Sequence, residues 1–136
     1  MRTLIVEDVH FLAMILQKFL EPYGECQTAD NGESAIQKIA EAYTQGKPFD
    51  LICLDILLPK ADGIEVLQKV REFENDFISS EEERTKIVMI TTLNDRDTVR
   101  RALKAGCDRY ITKPFSKEKI LEEMRELGLI PAADEQ

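Results

Sequence analysis

The chain has 136 residues, 43% of them hydrophobic, and a net charge of −8. That length suits one globular domain with its own core, and is too short for a second folded output domain. The negative charge disfavours binding to nucleic acid or to an anionic membrane surface, and no apolar run approaches the roughly 20 residues that cross a bilayer.

Leu4–Val6 is a compact apolar run, as expected of a strand buried on both faces, and it stops at two adjacent acids, Glu7 and Asp8. A helix follows, with Phe11, Ile15 and Phe19 beside Leu12, Leu16 and Leu20 at helical spacing. Cys26–Ala29 is a weaker strand, suited to a sheet edge. Asp30-Asn31-Gly32-Glu33 then offers an N-cap and a first-turn acid to a second helix marked by Ile36, Ile39, Ala40 and Tyr43.

The third strand, Leu51–Leu54, ends at Asp55, and Asp62-Gly63 opens a third helix through Ile64, Leu67 and Val70. Residues 74–85 (ENDFISSEEERT) are polar and acidic, which predicts an extended helix end and a mobile loop, with Ser79–Glu83 as solvated chain. The fourth strand, Ile87–Ile90, ends at Thr91, and Asn94-Asp95 caps a helix carried by Val99, Ala102 and Leu103. A second edge strand, Arg109–Thr112, leads into Lys113-Pro114, and Ser116 caps the last helix, with Ile120, Leu121 and Met124. Gly24, Gly46, Gly106 and Gly128 each follow a helical pattern where a left-handed C-cap is wanted.

Five strands and five helices in strict alternation predict an α/β fold, a doubly wound five-stranded parallel sheet of (βα)5 type. Residues 1–128 form the domain, and 129–136 a short polar tail expected to fray. The opening residues lack the layout of a signal peptide. Cys26, Cys53 and Cys107 are far apart and show no CxxC or zinc-like spacing. They read as small apolar fillers in a reduced, cytoplasmic protein. His10, the only histidine, reads as an exposed or site-rim residue.

In such a sheet, ligands gather outside the carboxyl ends of the strands. If the first and third strands are neighbours, Glu7, Asp8 and Asp55 converge. Two unit charges about 4 Å apart repel by about 4 kcal/mol at an effective dielectric near about 20, so the cluster calls for a cation. Oxygen-only ligands favour a hard ion, and Mg²⁺ is the natural choice. Thr91 and Lys113 add a hydroxyl and an ammonium to the same edge. A metal, a lysine and a hydroxyl around a carboxylate suit phosphoryl transfer, which asks mostly for positioning and charge stabilisation.

The motifs "LIVED", "DLICLDILLPKADGIEVL", "IVMITT" and "YITKPF", in this order, resemble those of response-regulator receiver domains of two-component signalling, most of all single-domain regulators of the chemotaxis type. The resemblance covers about residues 2–127. It implies a flavodoxin-like strand order 2-1-3-4-5, with no output domain. By the same resemblance Asp55 is the phosphoacceptor, taking its phosphoryl group from a histidine kinase or a histidine phosphotransfer protein. Mg²⁺ is held by Glu7, Asp8, Asp55 and the backbone carbonyl of Leu57; Lys113 pairs with a phosphoryl oxygen, and Thr91 and Tyr110 act as the switch pair. The Lys113–Pro114 bond is expected to be cis. A downstream protein is expected on the face of the fourth helix, fifth strand and fifth helix, with the chain a monomer or weak dimer, a signalling switch rather than an enzyme.

The pattern departs from the family at Glu7, where aspartate is more usual, and at Leu58, where methionine is common. Leu57, Thr92 and Leu93 are candidate modulators of water access to Asp55, and apolar Leu57 and Leu93 predict slow loss of the phosphoryl group. The competing enzyme reading is a Mg²⁺-dependent phosphatase of the haloacid dehalogenase type. It needs a second acid two residues after the nucleophile, where this chain has Leu57. A flavodoxin-like cofactor binder is disfavoured because Glu7-Asp8 would repel a flavin phosphate. A degenerate receiver used only for docking would not need the full set of acids, Thr91 and Lys113.

Overall fold

The three apolar runs form the centre of one parallel sheet. In a computed structural model, which describes residues 1–132, the strands are β1 (Thr3–Val6), β2 (Cys26–Ala29), β3 (Leu51–Leu54), β4 (Lys86–Thr91) and β5 (Arg109–Thr112). They are hydrogen-bonded in the order β2-β1-β3-β4-β5, a flavodoxin-like topology. Between and after them run α1 (His10–Leu20), α2 (Gly32–Thr44), α3 (Gly63–Phe77), α4 (Arg96–Ala105) and α5 (Lys117–Glu126).

Alternation along the central strands divides the core into two layers. Leu4, Val6, Ile52, Leu54, Ile87 and Met89 pack on one face with Ile39, Leu67 and Val70 of α2 and α3. Ile5, Leu51, Cys53, Val88 and Ile90 pack on the other with Leu16, Leu20, Ile120 and Met124 of α1 and α5. Burying each such side chain contributes about 1.5–3 kcal/mol. The polar tail expected from residue 129 lies outside the described residues from 133 onward. Ile130 is buried and Leu129 packs against the α1–α5 layer.

Four helices start on the residues that the capping signals indicate. The side chains of Asn31, Asp62, Asp95 and Ser116 accept from the backbone N–H of Ser34, Glu65, Thr98 and Lys119. α1 is the exception: Val9 precedes it and gives no side-chain cap. Its apolar residues are also unevenly buried. Ala13, Leu16 and Leu20 face the sheet, while Phe11 is 69% exposed despite its place in the apolar periodicity.

Residues 74–85 open with the extended helix end expected of them, and Ser79–Glu83 are exposed as expected, but the two ends of the segment are not solvated. α3 continues to Phe77, and Glu74 and Thr85 are buried. The cause is a long-range ionic network. Arg71 donates to Glu74 Oε1 at 2.7 Å, Asp108 Oδ2 at 3.1 Å and the carbonyls of Thr85 and Gly106. Glu74 Oε2 accepts from Thr85 N–H at 2.8 Å, and Arg84 lies 3.4 Å from Oε1.

All three cysteines are free thiols. Burial pushes Cys53 up to about 12 and Cys107 up to about 11, so both stay protonated and shielded at neutral pH. Titration of the native protein with a thiol reagent is therefore expected to modify half-buried Cys26 first, with Cys53 and Cys107 reacting only on unfolding. Fast native reaction at Cys53 would contradict this packing.

Candidate functional site

Strand register brings the chemistry to one edge. Val6 pairs with Leu54 across β1 and β3, so Glu7 and Asp55 emerge side by side. Thr91 pairs with Thr112 across β4 and β5, and Lys113 N–H donates to the Thr91 carbonyl at 2.8 Å. Four strand ends thus deliver Glu7-Asp8, Asp55, Thr91 and Lys113 to the same rim.

Within that rim, Glu7 and Asp55 are buried and Asp8 is exposed. The three carboxylates each offer an oxygen, and these oxygens lie within 4.8 Å of one another. Lys113 Nζ donates to Glu7 Oε1 at 2.5 Å and to Asp55 Oδ2 at 2.8 Å. The other oxygens are held by backbone: Leu57 N–H donates to Asp55 Oδ1 at 3.1 Å, and Val9 N–H to Glu7 Oε2 at 3.2 Å. Burial raises the Glu7 carboxyl above its ordinary value, against the lowering pull of Lys113 and the Val9 N–H. Burial also works against the Lys113 charge, but its bonds to Asp55 and Glu7 prevail and raise it. Three acids against one ammonium leave an excess of negative charge in a partly dry pocket. That donor set, oxygen only and short of cations, fits a hard divalent ion.

A second chain of contacts leads away from the acids. Thr91 is fully buried, and its hydroxyl accepts from Leu93 N–H at 3.4 Å. The Leu93 carbonyl accepts from the Tyr110 hydroxyl at 2.6 Å. Thr92 is exposed, and Leu57 is 52% exposed. The Lys113–Pro114 peptide is cis. His10 lines a cavity with Glu7, Asp8 and Asp30.

Sequence reasoning missed the glycine that fits the β3–α3 loop beneath Asp55. A Cβ at Gly63 would lie 2.2 Å from the Asp55 carbonyl oxygen, and Gly63 N–H donates to Ile56 at 2.9 Å. Any side chain here would push the Asp55 backbone aside. The Asp62-Gly63 pair was legible only as a helix start, because the close approach is tertiary.

Comparison with known proteins identifies the family. The model of the response regulator receiver domain matches residues 3–125. The chemotaxis protein CheY of Halobacterium salinarum is 32% identical over 126 residues, spanning 93% of this chain and 95% of that protein. CheY of Treponema pallidum is 34% identical, spanning 90% of this chain and 79% of its own. Among solved structures, a CheX–CheY complex with BeF3 and Mg²⁺ from Borrelia burgdorferi superposes with a TM-score of 0.78 at 28% identity, covering 93% of this chain and 88% of that one. The chain therefore belongs to the response regulator receiver domains of two-component signalling, and is CheY-like within them.

Proposed function

We propose that Asp55 accepts a phosphoryl group from a phosphohistidine of a sensor kinase or histidine phosphotransfer protein, and that the resulting aspartyl phosphate switches binding to a downstream protein. The carrying observation is the buried Asp55 carboxylate with Lys113 at 2.8 Å and the oxygens of Glu7 and Asp8 within ligand range. Receiver domains take phosphate from histidine kinases and act on downstream targets, and they bind Mg²⁺ at an acidic pocket. In this chain Glu7, Asp8, Asp55 and the Leu57 carbonyl would hold the ion. Bound there, Mg²⁺ offsets the carboxylate charge and that of the transferring group.

An Asp55 oxygen forms the new O–P bond as the P–N bond to the donor imidazole breaks, and the departing nitrogen keeps the electron pair. Lys113 neutralises charge on the phosphoryl oxygens. New acceptor oxygens then offer the Thr91 O–H a partner and draw the hydroxyl toward Asp55, away from the Leu93 N–H from which it accepts. Displacing Thr91 loosens Leu93, whose carbonyl holds Tyr110. The signal thus reaches the face of α4, β5 and α5, the surface proposed for the partner. The switch acts as a monomer or weak dimer in the cytoplasm; no helix among the described residues is long and apolar enough to cross a membrane.

Incubation with acetyl phosphate and Mg²⁺ tests the reading by intact mass. A gain of one phosphoryl group that EDTA prevents is expected, and an unchanged mass would overturn it. Leu57 and Leu93 further predict a long-lived product, since neither can orient an attacking water. Decay within seconds, in the absence of a phosphatase, would contradict that role.

A further inference from the structure

We infer that Gly32, at the start of α2, is a positioning residue for the proposed ion site: it holds the β3–α3 connection, which carries Leu57, in a strained path. The inference rests on the reading of Glu7, Asp8, Asp55 and the Leu57 carbonyl as ligands, and deepens it. Gly32 is buried, and its N–H donates to the Pro59 carbonyl at 3.0 Å. A Cβ at Gly32 would lie 2.1 Å from the Ala61 carbonyl oxygen and 2.7 Å from the Ala61 Cβ, so no larger residue admits this approach.

The connection needs holding. Lys60 has φ 62° and Ala61 φ 138°, and among the described residues they are the only non-glycine residues with positive φ. L side chains adopt such conformations at a cost, and they persist only where the surroundings over-determine them. Here the surroundings are two glycines. Gly63 N–H and Leu58 N–H both donate to the Ile56 carbonyl, at 2.9 and 3.0 Å, which curls the connection. Gly32 holds it again at Pro59 and Ala61. Between Ile56 and Pro59 lies Leu57, whose N–H donates to Asp55 Oδ1 at 3.1 Å.

The same short segment also touches the acids. Glu7 N–H donates to the Ala29 carbonyl at 3.0 Å, and Asp30 and Ser34 line one cavity with Glu7 and Asp8. Residues 29–32 therefore bridge the backbone of the β1 acids to the connection after Asp55. Asn31 stiffens the bridge by capping α2, its side chain accepting from Ser34 N–H at 2.8 Å. An ion that takes ligands from both strand ends needs their spacing fixed beforehand, because each unfit loop conformation lowers the apparent affinity. Strain clamped between two parts of one ligand set points to that spacing as its use.

The test is a titration of the full chain with Mn²⁺, the free ion read by electron paramagnetic resonance, beside urea unfolding of each variant without metal. Gly32→Ala is expected to weaken Mn²⁺ binding by about tenfold or more. The double variant Lys60→Gly/Ala61→Gly relieves the strain and frees the loop. It is expected to unfold at the same or a higher urea concentration than the wild type, yet to bind Mn²⁺ about threefold or more weakly. Combined with Gly32→Ala, the double variant is expected to restore stability but not affinity, a split that a merely structural glycine would not give. Should Gly32→Ala not fold, the double variant decides alone. Wild-type affinity in Gly32→Ala or in the double variant, earlier unfolding of the double variant, or recovery of affinity together with stability in the triple variant would each overturn the proposal. Asp8→Asn reads the ligand assignment separately. If it binds Mn²⁺ as well as the wild type does, or if the wild type binds none, the assignment falls and the inference with it. If Asp8→Asn alone weakens binding, the assignment stands and Gly32 has no part in it.

Discussion

Asp55→Asn is expected to take up no phosphoryl group from acetyl phosphate and Mg²⁺, a complete loss on the scale of intact mass. The amide keeps the size of the carboxylate, and it can still accept from Leu57 N–H, the bond that now runs to Asp55 Oδ1. It lacks the anionic oxygen that attacks phosphorus, and it removes one charge from the set that draws a divalent ion. Asp8→Asn separates these two effects. Asp8 is exposed, so the fold tolerates the change, while Mg²⁺ affinity drops by at least about tenfold. Labelling of that variant is slowed and recovers at high Mg²⁺. Persistent labelling of Asp55→Asn would show that another residue is the acceptor.

The largest expected loss of stability lies at the opposite end of the sheet. Glu74→Ala removes the carboxylate shared by Arg71 and Arg84 and leaves the buried Thr85 N–H without its acceptor. Glu74 is only 4% exposed, so its carboxylate is held by protein groups rather than by solvent. Breaking one partner of a buried ionic network costs about 3–5 kcal/mol, a large share of the about 5–15 kcal/mol that holds a domain together. Denaturant unfolding should show a midpoint shift of that size with the slope unchanged. A loss under about 1 kcal/mol would mean that Arg71 and Arg84 are satisfied without Glu74.

These two positions also mark what the sequence discloses. Asp55 stands at the end of a four-residue apolar run, a local signal, and parallel pairing then fixes which edge it occupies. Glu7, Asp8, Thr91 and Lys113 were legible for the same reason, as were the caps Asn31, Asp62, Asp95 and Ser116. Glu74 was not, because its environment is made by Arg71, Arg84 and Thr85, and Arg71 in turn by Gly106 and Asp108 far along the chain. No periodicity records such a partner. The bond between Glu7 and Lys113 spans 106 residues and was likewise invisible. It makes Lys113 the counter-ion of Glu7 as well as of Asp55, so the lysine and the proposed ion answer the same negative charge. Phe11 misled for a different reason: helical spacing identifies an apolar face but does not say that the fold covers it.

The pocket itself is tested most directly by adding trace Mn²⁺ to isotopically labelled protein and following the backbone amide signals. Glu7, Asp8, Asp55 and Leu57 should broaden first, with Lys113 close behind, and excess Mg²⁺ should restore them. Broadening centred on the exposed acids Glu81–Glu83 instead, with the strand-end signals unaffected, would contradict a divalent-ion site beside Asp55.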